Sequence, residues 1–197
     1  MDPRREYEKP PASVPGSVIW LTGLSGAGKS TLATELHRQF KLEGCKSFIL
    51  DGDVMRHGLC SDLGFSAEDR RENVRRITAV AHLFSEAGIQ CIVALISPYR
   101  EDRDNARAVI GSGRFIEVYV NVPLEVCESR DPKGLYARAR AGKLLEFTGI
   151  SAPYEPPLKP EVEVLTHQMT LEQSVAAIKS HWLKVSAIES EKRNSKG

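Results

Sequence analysis

The sequence lacks several features that would indicate a membrane, secreted or metal-binding protein. Its longest apolar run, residues 89–96, is too short to span a bilayer, and residues 1–10 are polar rather than an apolar signal core. The net charge of +1 gives no overall field that would attract nucleic acid or an anionic membrane. The 4 cysteines and 5 histidines lack the spacing of a protein-built zinc site. We therefore expect a cytoplasmic protein with reduced thiols that binds neither nucleic acid nor a membrane.

The most informative string that the sequence does contain lies at residues 23–30. It reads Gly-Leu-Ser-Gly-Ala-Gly-Lys-Ser, which matches the phosphate-binding pattern G-x-x-x-x-G-K-[ST] and not the G-x-G-x-x-G of dinucleotide-binding loops. Its glycines allow successive backbone N–H groups to point at phosphate oxygens. Lys29 can reach the β- and γ-phosphates, and the Ser30 hydroxyl can ligate Mg²⁺. We predict that a nucleoside triphosphate binds to Gly23, Leu24, Ser25, Gly26, Ala27, Gly28, Lys29, Ser30 and Thr31.

The chain on either side of this loop alternates between short apolar runs and amphipathic stretches. Strands are predicted at 17–22, 46–50, 89–96, 115–122 and 161–165, and helices at 30–40, 66–88, 101–110, 124–130 and 170–182. Such alternation is typical of parallel strands whose connecting helices cover both faces of a sheet. We predict an α/β fold, a doubly wound parallel sheet of the P-loop NTPase type. It forms a single domain at 17–184, between a flexible segment at 1–16 and a frayed tail at 185–197.

Residues 131–160 interrupt this alternation. They are rich in glycine and proline and include Lys133, Arg138 and Arg140. Long loops in compact domains are often functional, and in a phosphate-transferring protein such a loop can close over the nucleotide and exclude water. We therefore predict a mobile lid at about 131–160, in which Arg138 and Arg140 contact the nucleotide.

Two carboxylates, Asp51 and Asp53, follow the strand predicted at 46–50. On an extended backbone both would face the same side, at the edge of the sheet where ligands bind in doubly wound folds. One carboxylate could help to hold hydrated Mg²⁺ while the other accepts a hydroxyl proton. A solvent-exposed Asp-Gly-Asp turn is the alternative that local sequence alone allows, and the phosphate loop upstream favours the functional interpretation.

The phosphate loop by itself is consistent with several classes of protein. A GTPase should contain an N-K-x-D string, and a mechanical ATPase should have a strand that ends in Asp-Glu; the sequence has neither. A small-molecule kinase needs Mg²⁺, a base, an acceptor pocket and a lid, and candidates for all of these are present. A cluster of cations indicates an anionic acceptor: Arg56, Arg70, Arg71, Arg75 and Arg76. The alternative, which we expect for some of the five, is an exposed helix face on which arginines balance acids.

Longer strings show a resemblance to a known family. They run in order from about residue 16 to 157: Gly23-Leu-Ser-Gly-Ala-Gly-Lys-Ser-Thr31, Leu50-Asp-Gly-Asp53, Arg56-His-Gly-Leu59, Leu63-Gly-Phe-Ser66, Glu68-Asp-Arg70, Glu72-Asn-Val-Arg-Arg76, Leu95-Ile-Ser-Pro-Tyr-Arg100, Asp131-Pro-Lys-Gly-Leu-Tyr136 and Phe147-Thr-Gly149. With these strings the chain closely resembles the adenylylsulfate kinases. Members of that family use ATP to phosphorylate the ribose 3′-hydroxyl of adenosine 5′-phosphosulfate (APS), and their product is PAPS.

The resemblance implies a role for each matching residue. Asp53 resembles the acceptor of the 3′-hydroxyl proton, and Asp51, with Ser30, resembles the partner of Mg²⁺. Catalysis is assigned to Asp53, Lys29 and Ser97; in some members the serine matching Ser97 has been proposed as a phosphoserine intermediate, although direct in-line transfer needs no such relay. The residues that the resemblance places against APS are Asp53, Arg56, Phe65, Arg70, Asn73, Ile96, Ser97, Lys133, Phe147 and Thr148. Phe65 and Phe147 match the pair that sandwiches the adenine of APS.

The chain departs from the commonest family pattern at two points. Val54 replaces a frequent Asn, and Leu144-Leu-Glu146 replaces Ile-Lys-Gly or a similar string before Phe147. Both changes affect the acceptor side and leave the phosphate loop intact. Relatives are commonly homodimers, so a homodimer is expected. Two alternatives stay open: a kinase for another small acceptor, such as shikimate, gluconate or a nucleoside monophosphate, and a non-catalytic nucleotide-binding protein.

Overall fold

The computed structural model describes the backbone of residues 16–194 and the side chains of residues 16–187. The flexible segment predicted at 1–16 therefore lies outside the described residues, except for Gly16. Five strands form one sheet: β1 (Val18–Thr22), β2 (Ser47–Asp51), β3 (Gln90–Ala94), β4 (Phe115–Val120) and β5 (Val162–Val164). The helices are α1 (Lys29–Leu42), α2 (Gly52–Arg56), α3 (Ala67–Glu86), α4 (Arg100–Ile110), α5 (Leu124–Arg130), α6 (Leu135–Arg140) and α7 (Leu171–Asn194).

The strands are all parallel and lie in the order β2-β3-β1-β4-β5. This order confirms the predicted doubly wound sheet, because β1 lies at its centre, with β2 and β3 on one side of it and β4 and β5 on the other. Trp20 of β1 pairs with Val93 on one side and Glu117 on the other. The phosphate loop that follows β1 therefore opens at the middle of the carboxyl edge.

Apolar side chains cover both faces of the sheet. Ile19 and Leu21 of β1 pack with Phe40 of α1, whose ring lies 4.7 Å from that of Trp182 of α7. Val18 and Trp20 point the other way, into a cluster completed by α3 and α4. Because adjacent strand residues face opposite sides, a strand that is buried on both faces is largely apolar. β1 is buried along its whole length, and its one polar side chain, that of Thr22, is hydrogen-bonded to the Ile96 carbonyl.

Two predicted local structures differ from the observed ones. Asp51 and Asp53 do not share an extended segment: Asp51 is the N-cap of α2 and accepts a hydrogen bond from the Asp53 backbone N–H at 2.9 Å, so the chain turns into a helix at Gly52. Helix α7 also continues to Asn194, beyond residue 184, and Val185 packs against the core. Within residues 16–194, no helix is both long enough and apolar enough to cross a membrane.

Candidate active site

The phosphate loop adopts the conformation that its glycines permit. Gly26 and Gly28 have φ of 75° and 102°, a region that residues with a side chain rarely adopt. At Gly23, with φ of 151°, an added Cβ would lie 2.6 Å from the Val120 carbonyl oxygen. Helix α1 begins at Lys29, so its N-terminal N–H groups face the loop and favour an anion there.

The Lys29 ammonium folds back onto the loop in this structure. Its Nζ donates hydrogen bonds to the carbonyl oxygens of Gly23, at 2.9 Å, and Leu24, at 2.7 Å. Burial lowers the pKa of Lys29 to about 8, because a charged ammonium is poorly solvated there. A bound polyphosphate would supply the missing anionic partner.

Three residues that the sequence analysis did not select support the loop from outside. The Tyr136 hydroxyl donates to the Ser25 carbonyl at 3.0 Å, and the Thr166 hydroxyl donates to the Ala27 carbonyl at 2.7 Å. Arg130 donates to the Gly26 carbonyl and to Thr166, both at 3.2 Å. Thr166 lies in the β5–α7 connection, far along the chain from the loop, and no motif indicated it. Arg130 lies next to the basic segment that was predicted to be a lid.

The two predicted carboxylates lie beside the loop, as expected, although in a different backbone conformation. The Ser30 hydroxyl donates to Asp51 Oδ2 at 2.7 Å, while Asp51 Oδ1 caps α2. Asp53 is in the first turn of α2, with 62 % of its side chain exposed, and Lys133 donates to its Oδ2. The hydroxyl of Ser30 and the carboxylate of Asp51 are hard oxygen donors, and this pair fits the predicted Mg²⁺ site.

Two predicted acceptor-binding arginines gather around Phe65. The Arg56 guanidinium lies 4.4 Å from the centre of the Phe65 ring, and Arg56 also donates to the Gly64 carbonyl at 2.8 Å. Arg70 donates to the carbonyl of Phe65 at 2.9 Å and to that of Glu146 at 2.7 Å. Arg70 thereby connects the start of α3 to the residue that precedes Phe147. Burial, followed by the nearby Arg56 charge, lowers the pKa of Arg70.

Two of the predicted acceptor-binding side chains have buried polar atoms without a protein partner. Asn73 Oδ1 and Thr148 Oγ1 accept or donate no hydrogen bond within the described structure, and the two residues are only 6 % and 1 % exposed. Buried polar groups are normally paired, so a ligand or a water molecule that binds here can satisfy these two atoms. Both atoms belong to residues that the family resemblance assigns to APS.

The β3–α4 loop carries Ile96 and Ser97. The Thr22 hydroxyl donates to the Ile96 carbonyl at 2.8 Å, and the Trp20 indole N–H donates to Ser97 Oγ at 3.1 Å. Ser97 is 3 % exposed. Its hydroxyl therefore already accepts a buried hydrogen bond and faces Trp20, which fits a positioning role better than that of a phosphate acceptor.

Other predicted residues lie apart from these contacts. Arg140 of α6 pairs with Glu128 of α5 at 2.8 Å, and Arg138 is exposed and has no ion-pair partner among the described side chains. Their assignment to ATP stays a prediction. Arg75 and Arg76 pair with Glu72, as the alternative of a charge-balanced helix face predicts.

A parallel sheet with a phosphate loop at its centre and the carboxylates of Asp51 and Asp53 beside that loop places the chain in the P-loop class of nucleotide-binding proteins. The family model for adenylylsulphate kinase matches residues 15–165, and the chain belongs to that family. It is 58 % identical over 161 residues to a probable adenylyl-sulfate kinase of Halalkalibacterium halodurans, covering 82 % of this chain and 80 % of the relative. It is 59 % identical over 161 residues to the adenylyl-sulfate kinase of Geotalea uraniireducens, covering 82 % and 77 %.

A solved structure also matches. The Mycobacterium tuberculosis APS kinase in complex with AMPPNP and APS has a TM-score of 0.81 and 44 % identity, and the match covers 86 % of this chain and 98 % of that one. The comparisons confirm the family to which the motifs pointed. A sugar kinase from Janibacter and a gluconokinase from Sinorhizobium meliloti share the fold at 18 % and 16 % identity, with TM-scores of 0.62 and 0.55.

Proposed function

We propose that this chain transfers the γ-phosphoryl group of ATP to the ribose 3′-hydroxyl of APS, giving PAPS and ADP. The observation that carries the proposal is the chain of contacts from the phosphate loop to Asp53: Ser30 donates to Asp51, and Asp51 caps the helix that presents Asp53. The complex of the 44 % identical M. tuberculosis enzyme with AMPPNP and APS supports the same pair of substrates here.

ATP is held by the loop. Backbone N–H groups of the loop and of the first turn of α1 donate to its phosphate oxygens. Lys29 leaves the Gly23 and Leu24 carbonyls and binds the β- and γ-phosphates, where its charge balances the charge that develops on the bridging oxygen.

APS is held on the opposite side, with its adenine between Phe65 and Phe147 and its anionic group near Arg56 and Arg70. Asp53 accepts the proton of the 3′-hydroxyl as that oxygen forms its bond to the γ-phosphorus. The bond from the γ-phosphorus to the β,γ-bridging oxygen breaks, and ADP leaves with that oxygen. Catalysis therefore depends on position and charge and needs no covalent enzyme intermediate.

Mg²⁺ is the expected metal. Ser30 and Asp51 would hold it, directly or through water, and when bound it would neutralise charge on the β- and γ-phosphates. The side chains named above position the two nucleotides, and Asp53 takes the proton of the hydroxyl.

The decisive experiment is mass spectrometry of the product formed from ATP and APS. A product heavier than APS by one phosphoryl group, on the 3′-oxygen, is the expected result. Faster ADP release with gluconate, shikimate or a nucleoside monophosphate would overturn the assignment to APS. Nucleotide binding without any phosphorylated product would instead identify a non-catalytic binding protein.

A homodimer is part of the proposal, and the face formed by α3 and α4 supports it. A groove of about 760 Å³ lies between these helices and is bordered by charges of both signs, so a second copy can be complementary to it. Asp102 lines the groove, is 7 % exposed, and has an Oδ2 atom without a partner in the described structure. Val109 on the same face is 54 % exposed.

The dimer can be tested by sedimentation. Val109→Glu should produce a monomer, whereas Leu42→Glu, at a residue 73 % exposed on α1, should not. A monomeric parent protein would contradict the proposal. The proposed location is the cytoplasm, which the four unpaired cysteines support and cell fractionation can test.

A further inference from the structure

Two residues of the acceptor side have a strained backbone. Ser97 has a φ of 39° and Glu146 a φ of 56°, and among the described residues they are the only positions other than glycine in the left-handed region, with φ above about 20°. Such conformations cost energy and persist only where surrounding contacts enforce them, commonly at functional sites. In both cases the carbonyl oxygen of the strained residue accepts a hydrogen bond from a buried arginine: Arg103 for Ser97 and Arg70 for Glu146.

Arg70 is already assigned to the acceptor, whereas Arg103 has no assigned role. It is 2 % exposed, and each of its three guanidinium nitrogens donates one hydrogen bond. Nη1 donates to the Ser97 carbonyl, Nη2 donates to the Glu155 carbonyl, and Nε donates to Glu117 Oε1, each at 2.7 Å. A planar guanidinium with a fixed fork can hold three acceptors in this way, and a lysine cannot.

The Glu155 contact links the end of the lid segment to the β3–α4 loop. The Glu155 N–H donates to the Pro98 carbonyl at 2.8 Å, and its carboxylate accepts from the Arg100 N–H at 2.9 Å. Tyr154, the preceding residue, lies within 3.0 Å of the Thr22 hydroxyl, which also donates to the Ile96 carbonyl. Arg103 therefore connects two segments: the β3–α4 loop, which carries Ile96 and Ser97, and the segment around Glu155, which follows Phe147 and Thr148 in the chain. We call this connection the Arg103 junction.

The neighbouring Arg107 provides a comparison on the same helix. It donates to Glu161 at 2.6 and 2.8 Å and to Glu117 Oε2 at 3.3 Å, so it shares the same charge network as Arg103. None of its hydrogen bonds reaches the β3–α4 loop or residues 146–156. The two arginines thus share Glu117 as a partner, and only Arg103 contacts the acceptor side.

We infer that Arg103 is a positioning residue for the acceptor nucleotide: it fixes the strained Ser97 peptide and the Glu155 segment so that Ile96, Phe147 and Thr148 are correctly placed before APS binds. The inference rests on the proposed function. Within the described structure, Arg103 forms hydrogen bonds with Ser97, Glu117 and Glu155 and lies over the Tyr154 ring, and none of these residues belongs to the phosphate loop, so its influence should fall on APS and not on ATP.

Steady-state kinetics of Arg103→Lys and Arg107→Lys test this inference. Lysine keeps the charge but loses at least one of the three hydrogen bonds to a charged donor, which corresponds to roughly a tenfold effect or more. We expect Arg103→Lys to raise KM for APS at least tenfold with KM for ATP within twofold of the parent value. Arg107→Lys should leave both KM values unchanged, even if both variants melt at a lower temperature. Equal effects on the two KM values, or the same pattern in both variants, would overturn the inference.

Glu155→Ala provides a second measurement that removes no buried charge. It releases the Glu155 segment from the Arg100 N–H and keeps all three hydrogen bonds of Arg103, which donates to the main-chain carbonyl of Glu155, so it should fold even if Arg103→Lys does not. A selective rise in KM for APS is again expected, and an unchanged KM for APS would contradict the claim that the position of the Glu155 segment controls APS binding. A parent protein that fails to phosphorylate APS at all would refute the proposed function. An active parent protein whose variants show equal changes in KM for APS and for ATP would refute only the role of Arg103.

Discussion

The Lys133 ammonium donates a hydrogen bond to Asp53 Oδ2, an oxygen of the carboxylate that is proposed to accept the proton of the acceptor hydroxyl. Lys133 lies between α5 and α6, and Asp53 lies in α2, so the contact joins the lid segment to the base. The two side chains are 50 % and 62 % exposed. Exposed pairs of this kind contribute on the order of 1 kcal/mol or less. An anionic acceptor that binds to Lys133 can therefore break the Lys133–Asp53 ion pair with little loss of free energy.

Replacement of Asp53 tests its role as the base. Asp53→Asn keeps the size of the side chain and removes its basicity, so we expect kcat to fall by roughly 10²-fold or more, the lower range for a positioned general base. Because Asp53 is exposed, the thermal midpoint should not change. Measurement of kcat by coupled ADP release checks this, and near-normal turnover would exclude Asp53 from the role.

Removal of Lys133 should affect catalysis much more than stability. Lys133→Ala loses an exposed ion pair, which is worth about 1 kcal/mol or less, and it loses a charged contact to the anionic acceptor worth roughly tenfold in kcat/KM. We expect kcat/KM for APS to fall about tenfold at an unchanged thermal midpoint. The effect should weaken in Lys133→Arg, which keeps the charge. An unaltered kcat/KM for APS in the alanine variant would show that Lys133 does not contact the acceptor.

The lowered pKa of Lys29 predicts that kcat/KM for ATP falls at alkaline pH. Since this pKa is about 8 in the free protein, Lys29 loses its charge as pH rises through 8 and attracts phosphate less strongly. The kcat/KM for ATP should therefore fall above pH 8, by up to about tenfold per pH unit, whereas kcat should fall less because bound phosphates favour the charged form. A flat kcat/KM for ATP up to pH 9.5 would contradict this.

A loss of folding stability caused by the titration of Lys29 cannot explain the expected fall of kcat/KM for ATP above pH 8. Its pKa is lowered from 10.5 in the unfolded chain to about 8 in the folded one, so between these values the unfolded state binds more protons. The contribution of Lys29 to the free energy of unfolding therefore increases with pH across this interval. Thermal midpoints recorded at the same pH values separate the two effects.

Two glycines with positive φ should respond very differently to alanine. At Gly23 a Cβ would lie 2.6 Å from the Val120 carbonyl oxygen, whereas at Gly44 nothing lies within 4 Å. Gly44→Ala should cost only the local strain of a left-handed residue, about 1–2 kcal/mol. Gly23→Ala should cost more than that in free energy of unfolding and should also abolish ATP binding. Denaturant unfolding and nucleotide titration measure both, and equal destabilisation would contradict the expected clash.

Asp51 has two functions that can be separated. Asp51→Asn keeps a good N-cap for α2 but removes the charge next to Ser30, so stability should stay within about 0.5 kcal/mol. The Mg²⁺ concentration for half-maximal activity should rise about tenfold or more, as for other residues that orient a metal site. Asp51→Ala loses the cap as well and should cost a further ~1 kcal/mol. An unchanged Mg²⁺ requirement in Asp51→Asn would remove Asp51 from the metal site.

The phosphate loop and the sheet could be predicted from the sequence because their signals are local. The Gly-Lys-Ser string has its own backbone requirements, and the continuous apolar run of β1 follows from burial on both faces. The conformation of Asp53 was predicted wrongly because the competition between an extended segment and a capped helix depends on which hydrogen bonds Asp51 can form. The Asp51 side chain captures the Asp53 N–H, and the helix begins there.

The amino-acid sequence alone determined the nucleotide-binding loop, the parallel sheet, the family and the residue types at the site, because each of these depends on neighbours that are close along the chain. Only the tertiary structure decided which side chains contact one another across the site. Thr166 and Arg130 contact the phosphate loop, Lys133 contacts Asp53, and Arg103 contacts both Ser97 and Glu155. These partners are separated by up to 139 positions in the chain. Contacts of that separation leave no local pattern, since they form only when the sheet has brought its strand ends to one edge.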